Sequence, residues 1–384
     1  MSNLHRVSAK SFGRPLLVLL FLLFSWSFVQ PVRRIDSAPN ATFTVNTTGD
    51  SSDGDLDDNV CDTAIFTPGD QCSLRAAIEQ ANAPNTGHDT ILFSGFMIIA
   101  PGSELPALTN TNGTTIYSDD QVWLMGTSLP DGGDGLTLSS NNNQVMGLVI
   151  AGFDNGMVVT GHYNVIGTDG DGVDDGNEKN VIHSNADGTG YGIQLTGTHN
   201  GVAGNFIGLL PNGSDTGANN TGIWIDGNSN RIGTNGDGIS DAIERNVISG
   251  NNQHGIEISG DDNVVAGNYI GLNAAGDTAM PNGLKGIDID PPAANTRIGT
   301  DADGNGDAEE RNVISGNGDD GVKTKGDYVT IAGNYIGTDA AGSSVVANGG
   351  YGVAVSVSAY ETMIGTNGDG TRDSLEGNTI SGNT

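Results

Sequence analysis

The sequence predicts an all-β protein, a right-handed parallel β-helix solenoid of about nine coils behind a small N-terminal cap with one short helix. Three observations lead to this prediction. Glycine fills 60 of the 384 positions, while aromatic residues make up only 5% of the chain, which is typical of tight turns and short strands. The tripeptide Ile-Gly-Thr returns every 66 residues, with its glycine at Gly167, Gly233, Gly299 and Gly365. Short Ile- and Val-rich runs separated by Gly, Asn and Asp lie between these copies, as in a solenoid.

The N-terminus predicts export. Arg6, Lys10 and Arg14 precede an apolar run over 16–29 that is too short for a stable membrane span. We therefore expect residues 1–38 to be a signal peptide, with an uncleaved anchor as the alternative. The protein is then secreted or held at the cell surface.

The net charge of −31 at pH 7 limits the partners. A surface this acidic repels nucleic acid and anionic lipid, so we expect no nucleic-acid partner and no membrane contact beyond the signal segment. Cations are the natural counterpart of such a surface. A polysaccharide or cell-surface glycan is the macromolecular partner that we expect.

The segment 39–95 differs from the repeats that follow and predicts the cap. Ser73 can cap a short helix whose apolar face includes Leu74 and Ile78. A solenoid needs such a cover, because an open end exposes apolar side chains and unpaired strand edges. Cys61 and Cys72 are the two cysteines of an exported chain, so we expect a disulfide that pins the cap.

The β-helix is expected to fill 96–384 as a 66-residue repeat of two coils with three short strands each. Each coil carries a Gly-Ile-x-Ile strand or a variant of it, as at 192–195 and 222–225. Glycine and asparagine are expected at the corners because both tolerate left-handed backbone angles. The sequence stops at Thr384, midway through a repeat, so we expect it to be incomplete at this end.

The run Cys-Ser-Leu-Arg-Ala-Ala-Ile at 72–78 resembles the N-terminal domain of large bacterial exported proteins, which is named for a Cys-Ser-Leu-Arg-Glu-Ala motif. Ala76 stands where that motif has Glu. The coils resemble the right-handed parallel β-helix repeats of the pectin-lyase-like fold that commonly follow the domain. The resemblance implies export and this fold. It implies little about activity, because the fold hosts lyases, hydrolases and adhesins.

An acidic loop follows each Ile-Gly-Thr and is the first candidate site. Side-chain oxygens at positions 1, 3, 7 and 10 surround a glycine turn, and Ca²⁺ takes six to eight oxygen ligands in flexible geometry. Calcium or another divalent cation is therefore one prediction, and ordinary turn chemistry is the other, since Asp, Asn and Gly also form turns. The candidate metal ligands are Asp169, Asp171, Asp175 and Glu178 in the first loop; Asn235, Asp237, Asp241 and Glu244 in the second; Asp301, Asp303, Asp307 and Glu310 in the third; and Asn367, Asp369, Asp373 and Glu376 in the fourth.

The outward face of the Gly-Ile-x-Ile strands is the second candidate site. Alternation along a strand places the isoleucines inside and the residues between them outside, and these outward residues differ from coil to coil. Aromatic and polar groups on a rigid face suit glycan binding. The candidate binding residues are Trp224, Asp226, Asp290 and Lys325.

The same face offers two kinds of catalysis. Glu257 and Asp288 on neighbouring coils are expected about 5 Å apart, a separation that suits the carboxylate pair of a glycoside hydrolase. Lys323 or Lys325 is the candidate base of a polysaccharide lyase, beside a cation that Asp288 and Asp290 would hold. A solvated polar face without a ligand is the plain alternative. The histidines of the repeats are expected at the surface.

Repetition favours a binding array over an enzyme, because an active site is a single event. The sequence therefore predicts an exported protein with a structural and binding role. Its ligand is expected to be a glycan or another surface ligand, and divalent cations are expected to stabilise it at the acidic loops. A carbohydrate-active enzyme, either a polysaccharide lyase or a glycoside hydrolase, is the alternative.

Overall fold

The computed structural model describes residues 40–63, 71–84, 87–129, 132–185 and 190–384. The predicted signal peptide lies outside the described residues. Within them the chain is a parallel β-helix, as the sequence predicts. Strands pair in parallel with the equivalent strands one coil before and one coil after. No helix in this part of the chain is long and apolar enough to cross a membrane.

Three ladders of strands run along the molecule. The first ladder consists of Leu136–Leu138, Met157–Val159, Tyr191–Leu195, Thr221–Ile225, Ile256–Ile258, Ile287–Ile289, Val322–Thr324 and Val353–Val355. The second ladder consists of Thr42–Val45, Asp89–Phe93, Thr114–Met125, Gln144–Ala151, Val165–Gly167, Gly201–Ala203, Arg231–Gly233, Val264–Ala266, Arg297–Gly299, Thr330–Ala332 and Met363–Ile364. The third ladder consists of Ile98–Ile99, the C-terminal halves of Thr114–Met125 and Gln144–Ala151, and then Val181–His183, Phe206–Ile207, Val247–Ile248, Tyr269–Ile270, Val313–Ile314, Tyr335–Ile336 and Thr379–Ile380.

The number of coils agrees with the prediction. The second ladder has nine successive strands from Thr114–Met125 to Met363–Ile364. Two earlier strands, Thr42–Val45 and Asp89–Phe93, continue the same ladder in the N-terminal direction. The predicted cap segment therefore contributes strands to the β-helix as well as a helix.

The helix of the cap is Leu74–Ala81, and the Ser73 hydroxyl accepts a hydrogen bond from the Ala76 backbone N–H at 3.0 Å as its N-cap. A disulfide joins Cys61 to Cys72, as predicted. The remaining helical segments are short, and they are the 3₁₀ turns Gly126–Ser128 and Asp175–Asn177 and the α-helical turn Asp373–Glu376.

Stacked aliphatic side chains form the core. Ile193, Ile223, Ile256 and Ile287 follow one another in register along the first ladder, and each is completely buried. Full burial of a side chain of this size contributes about 2 kcal/mol, so each coil adds a similar increment through its inward isoleucines. The core therefore lengthens with each coil.

The stacked asparagines at the corners have a different role from the one expected. Buried and partly buried Asn side chains stack in three columns, in which Nδ2 donates to Oδ1 of the Asn one coil further, as from Asn246 to Asn268 at 2.9 Å. Between Asn230 and Asn263 the backbone N–H donates instead, at 2.8 Å. The columns are Asn143, Asn164, Asn200, Asn230 and Asn263; Asn180, Asn205, Asn246, Asn268, Asn312, Asn334 and Asn378; and Asn185, Asn219, Asn251, Asn282, Asn317, Asn348 and Asn383.

None of these asparagines has a positive φ. The left-handed angles fall instead on residues beside the columns, such as Tyr163, His199 and Asp262. Left-handed corner asparagines, as expected, do occur at Asn142 and Asn295, but the stacked asparagines serve the corners in another way. Its role is to satisfy buried backbone groups that the corner takes out of the strand ladders.

Candidate functional site

The acidic loops lie at one corner of the β-helix, on alternate coils. Each loop connects a strand of the second ladder to a strand of the third, as residues 168–180 connect Val165–Gly167 to Val181–His183. On the intervening coils a short link such as 204–205 makes the same connection. All four loops therefore leave the coils at the same corner.

Successive loops are in contact with one another. A Cβ placed on Gly170 would overlap the Glu244 carboxylate, and one placed on Gly236 would lie 3.0 Å from Glu310 Oε1. Gly304 lies in the same way against the guanidinium of Arg372. The four loops thus stack along a single ridge.

Each loop is closed by its own side chains. The position-10 glutamate accepts a hydrogen bond from the backbone N–H of position 1, as Glu244 does from Asn235 at 2.8 Å and Glu310 from Asp301 at 3.0 Å. The corresponding acceptors in the first and fourth loops are Glu178 and Glu376. These bonds are turn chemistry, and they direct the four glutamates toward the loop backbone.

The aspartates at position 7 also support the turn. The backbone N–H of position 4 donates to Asp175 at 3.2 Å, to Asp241 at 3.1 Å, to Asp307 at 3.1 Å and to Asp373 at 3.2 Å. Position 3 in turn holds the backbone of position 5 in each loop, through Asp171, Asp237, Asp303 and Asp369.

Two of the four loops gather three carboxylates closely enough to hold a metal ion. Asp169, Asp171 and Asp175 in the first loop, and the equivalent residues of the third, Asp301, Asp303 and Asp307, each bring one oxygen within 4.8 Å of the others. The second and fourth loops have Asn235 and Asn367 at position 1. Among positions 1, 3 and 7, each of these loops therefore has only two carboxylates, at positions 3 and 7, instead of three.

Burial raises the pKa of several loop carboxyl groups. Desolvation is the main cause for Asp169, Glu178, Glu244 and Glu310. In the first loop the neighbouring aspartates raise the pKa of Asp169 and of Glu178 further. In the second and third loops Arg231 and Arg297 oppose the shift at Glu244 and Glu310.

The second candidate site is the strand face, defined as the outward side chains of the first ladder. Trp224, Glu257, Asp288 and Lys323 are paired one to the next on consecutive coils, in the order that the sequence predicts. Tyr191 stacks on Trp224, with ring centroids 5.4 Å apart and planes at 17°. The stack gives the half-buried indole a fixed position.

Asp288 is covered, in contrast to the expectation of an outward, accessible carboxylate. It is 3% exposed, because Lys285 Nζ lies 2.8 Å and His254 Nε2 3.7 Å from its Oδ2. Its other oxygen, Oδ1, is buried without a hydrogen-bond partner among the described residues.

Sequence reasoning missed Tyr191, His254 and Lys285. The three residues share one position in the repeat, immediately before the glycine of the strand. The sequence shows this shared position, but the Gly-Ile-x-Ile motif begins at the glycine and so leaves out the residue before it. His254 and His183 are also buried, at 8% and 5% exposure, so the expectation that they lie at the surface was wrong.

Glu257 has a raised pKa, chiefly through burial and then through the charges of Asp288 and Asp290. Lys285 and Lys325 oppose this shift. Glu257 therefore retains its proton to a higher pH than an ordinary glutamate.

The residues that directly follow four strands of the first ladder form pairs. Lys325 donates to Asp290, and this hydrogen bond raises the pKa of Lys325. Ser259 donates to the exposed Asp226 at 2.9 Å. A lysine with a raised pKa is a poor general base at neutral pH, so this arrangement disfavours Lys325 as the base of a lyase.

The chain matches no family model and no curated protein. Among solved structures it is similar to pectate lyase Pel9A, with 16% identity over 91% of this chain and 80% of that one and a TM-score of 0.46. It is similar to the Dettilon tailspike protein at 16% identity, covering 89% of this chain but only 66% of the tailspike chain, with a TM-score of 0.43. For the periplasmic alginate epimerase AlgG the identity is 12%, the coverage 73% of each chain and the TM-score 0.37. The fold itself rests on the parallel strand pairings, and the resemblance of 72–78 to an exported N-terminal domain stays a prediction.

Proposed function

We propose that the protein is an exported β-helix, secreted or held at the cell surface, that binds a glycan through the strand face. The observation that carries this proposal is the stacked pair of Tyr191 and Trp224 beside the half-buried Glu257. Aromatic rings offer an apolar surface to the C–H groups of a sugar, and neighbouring polar groups hydrogen-bond its hydroxyls. The disulfide between Cys61 and Cys72 fits an extracellular location.

A glycan array tests the proposal. The wild-type protein is expected to bind at least one polysaccharide. Trp224→Ala is expected to weaken that binding about fivefold or more, since an aromatic contact is worth about 1 kcal/mol or more. Phe96→Ala is the control, because Phe96 is an exposed aromatic residue, 62% accessible, that lies outside the first ladder, between Asp89–Phe93 and Ile98–Ile99. Equal binding by the two variants would contradict the proposal.

A carbohydrate-active enzyme is the second candidate function, and the raised pKa of Glu257 favours it. A protonated carboxyl group is what glycoside hydrolysis requires of the general acid, which donates its proton to the leaving oxygen. Hydrolysis by two carboxyl groups about 5 Å apart also needs the second one as a nucleophile that attacks the anomeric carbon. Asp288 is adjacent but covered by Lys285, which is why we rank binding above catalysis.

The enzyme is tested by product release from a panel of plant and algal polysaccharides. Activity that Glu257→Gln abolishes, while binding on the array persists, would establish catalysis. Wild-type protein that binds a polysaccharide without releasing product would support the binding function and contradict the enzyme.

We propose also that a divalent cation such as Ca²⁺ stabilises the acidic loops. Three carboxylates within 4.8 Å of one another repel each other strongly unless a cation compensates them. A higher melting temperature in CaCl₂ than in a chelator is the expected result. Coinciding melting curves would contradict it.

A further inference from the structure

The two loops with three carboxylates have different surroundings. In the third loop, Arg297 lies 3.5 Å from Asp301 and 3.1 Å from Glu310. Arg372, which belongs to the fourth loop, places Nη1 2.8 Å from Asp307 Oδ2. Two guanidinium groups therefore already compensate the carboxylates of the third loop.

The first loop has neither arginine. Val165 occupies the position that Arg297 holds four residues before position 1 of the third loop. Ser240 is the counterpart, in the second loop, of Arg372 in the fourth. The nearby Lys179 has its ammonium 4.1 Å from the centre of the Phe206 ring. Within the described parts of the chain, no basic group lies within 4 Å of the first-loop carboxylates.

Asp175 provides an independent sign of a missing ligand. It is 4% exposed, and its Oδ1 is buried with no hydrogen-bond partner in the described residues. The equivalent Asp241 has its Oδ1 bonded to the Thr234 hydroxyl at 3.0 Å, and Asp307 has both oxygens bonded. A buried carboxylate oxygen without a partner is costly, and a metal ion would satisfy it.

We propose that a divalent cation binds only the first loop, through Asp169, Asp171 and Asp175, and that Arg372 takes the place of the ion in the third loop. This inference rests on the proposed cation binding and names its site. Carboxylate oxygens are ligands for hard cations, and Ca²⁺ completes its shell with water and backbone carbonyls. A guanidinium supplies positive charge and donors to the same kind of cluster without an ion.

The number of bound ions tests the inference directly. Isothermal titration calorimetry of the metal-free protein with CaCl₂ is expected to give one site per chain. Asp175→Asn is expected to weaken this site at least tenfold, and Asp171→Asn, at an exposed position, provides a second variant if Asp175→Asn does not fold. Arg372→Gln is expected to raise the number of sites from one to two, because it removes the guanidinium that occupies the third loop at Asp307 and Gly304.

Arg311→Gln is the matched control. It also replaces an arginine by glutamine, but the Arg311 guanidinium lies over the Tyr335 ring and donates to the Gly333 carbonyl, so one site per chain is expected to remain. Two sites in the wild type, or one site in a folded Arg372→Gln variant, would overturn the inference while leaving cation binding intact. No calcium binding by any of these proteins would overturn the proposed cation binding itself.

Discussion

The asparagine columns lead to a stability prediction that can be worked out bond by bond. Asn251 is 1% exposed, and its Nδ2 donates to the Ile207 carbonyl at 3.2 Å and to Asn282 Oδ1 at 2.8 Å. Its Oδ1 accepts from Asn219 Nδ2 at 3.1 Å. Each hydrogen bond contributes about 1 kcal/mol net, so Asn251→Ala is expected to lower the free energy of unfolding by about 3 kcal/mol. Buried groups left without a partner would add to that loss.

Chemical denaturation followed by circular dichroism measures this loss. Asn252→Ala is the matched control, because Asn252 is the next residue along the chain but is exposed, and a change there is expected to stay within about 0.5 kcal/mol. Equal denaturation midpoints for the two variants would refute the argument that the columns stabilise the corners. In a solenoid the loss can concentrate in adjoining coils. Hydrogen exchange of the Asn252 and Gly283 amides, which donate to the carbonyls of residues 219 and 251, therefore gives a local readout.

Three further predictions concern the backbone, the acidic loops and the cap. Gly233 and Gly238 both have positive φ, but a Cβ on Gly233 would overlap the Ala266 carbonyl, while one on Gly238 would meet no atom within 4 Å. Gly233→Ala is therefore expected to lower the free energy of unfolding by about 1–3 kcal/mol more than Gly238→Ala in the same denaturation assay; equal losses would contradict this. The folded-state pKa of Glu178 is raised, mainly by burial, so its charged form destabilises the folded state at pH 7. Glu178→Gln is therefore expected to raise the melting temperature at pH 7 in a chelator. This gain should vanish below pH 4.5, where the carboxyl group is protonated in both the folded and unfolded states, and a gain that persists in acid would point to another cause. Reduction of the Cys61–Cys72 disulfide, which spans 11 residues, is expected to lower stability by about 3 kcal/mol, and an unchanged denaturation midpoint after reduction would show that the cap does not depend on it.

Much of the fold could be predicted because the repeat carries its own register. The 66-residue spacing from Gly167 to Gly233 aligned the coils, and the alternation in 222–225 assigned Trp224 to the outside and its isoleucine neighbours to the inside. Those assignments need only the period of a strand. The order of Trp224, Glu257 and Asp288 along the strand face followed from the same register.

The candidate sites could be predicted less completely. The sequence identified Asp288 but not the cover that Lys285 and His254 form over it. It identified the first and third loops as equivalent, although Arg372 makes them different from a distance of 65 residues along the chain.

The sequence by itself determined the solenoid, the spacing of its coils and the residue types at each corner, because these depend on local periodicity and repeat without reference to other coils. Only the tertiary structure decided what each repeated residue does. Burial, ion pairing and hydrogen bonding are set by neighbours one coil away, so that identical loop positions become either a compensated cluster, as at Asp307, or an uncompensated one, as at Asp175.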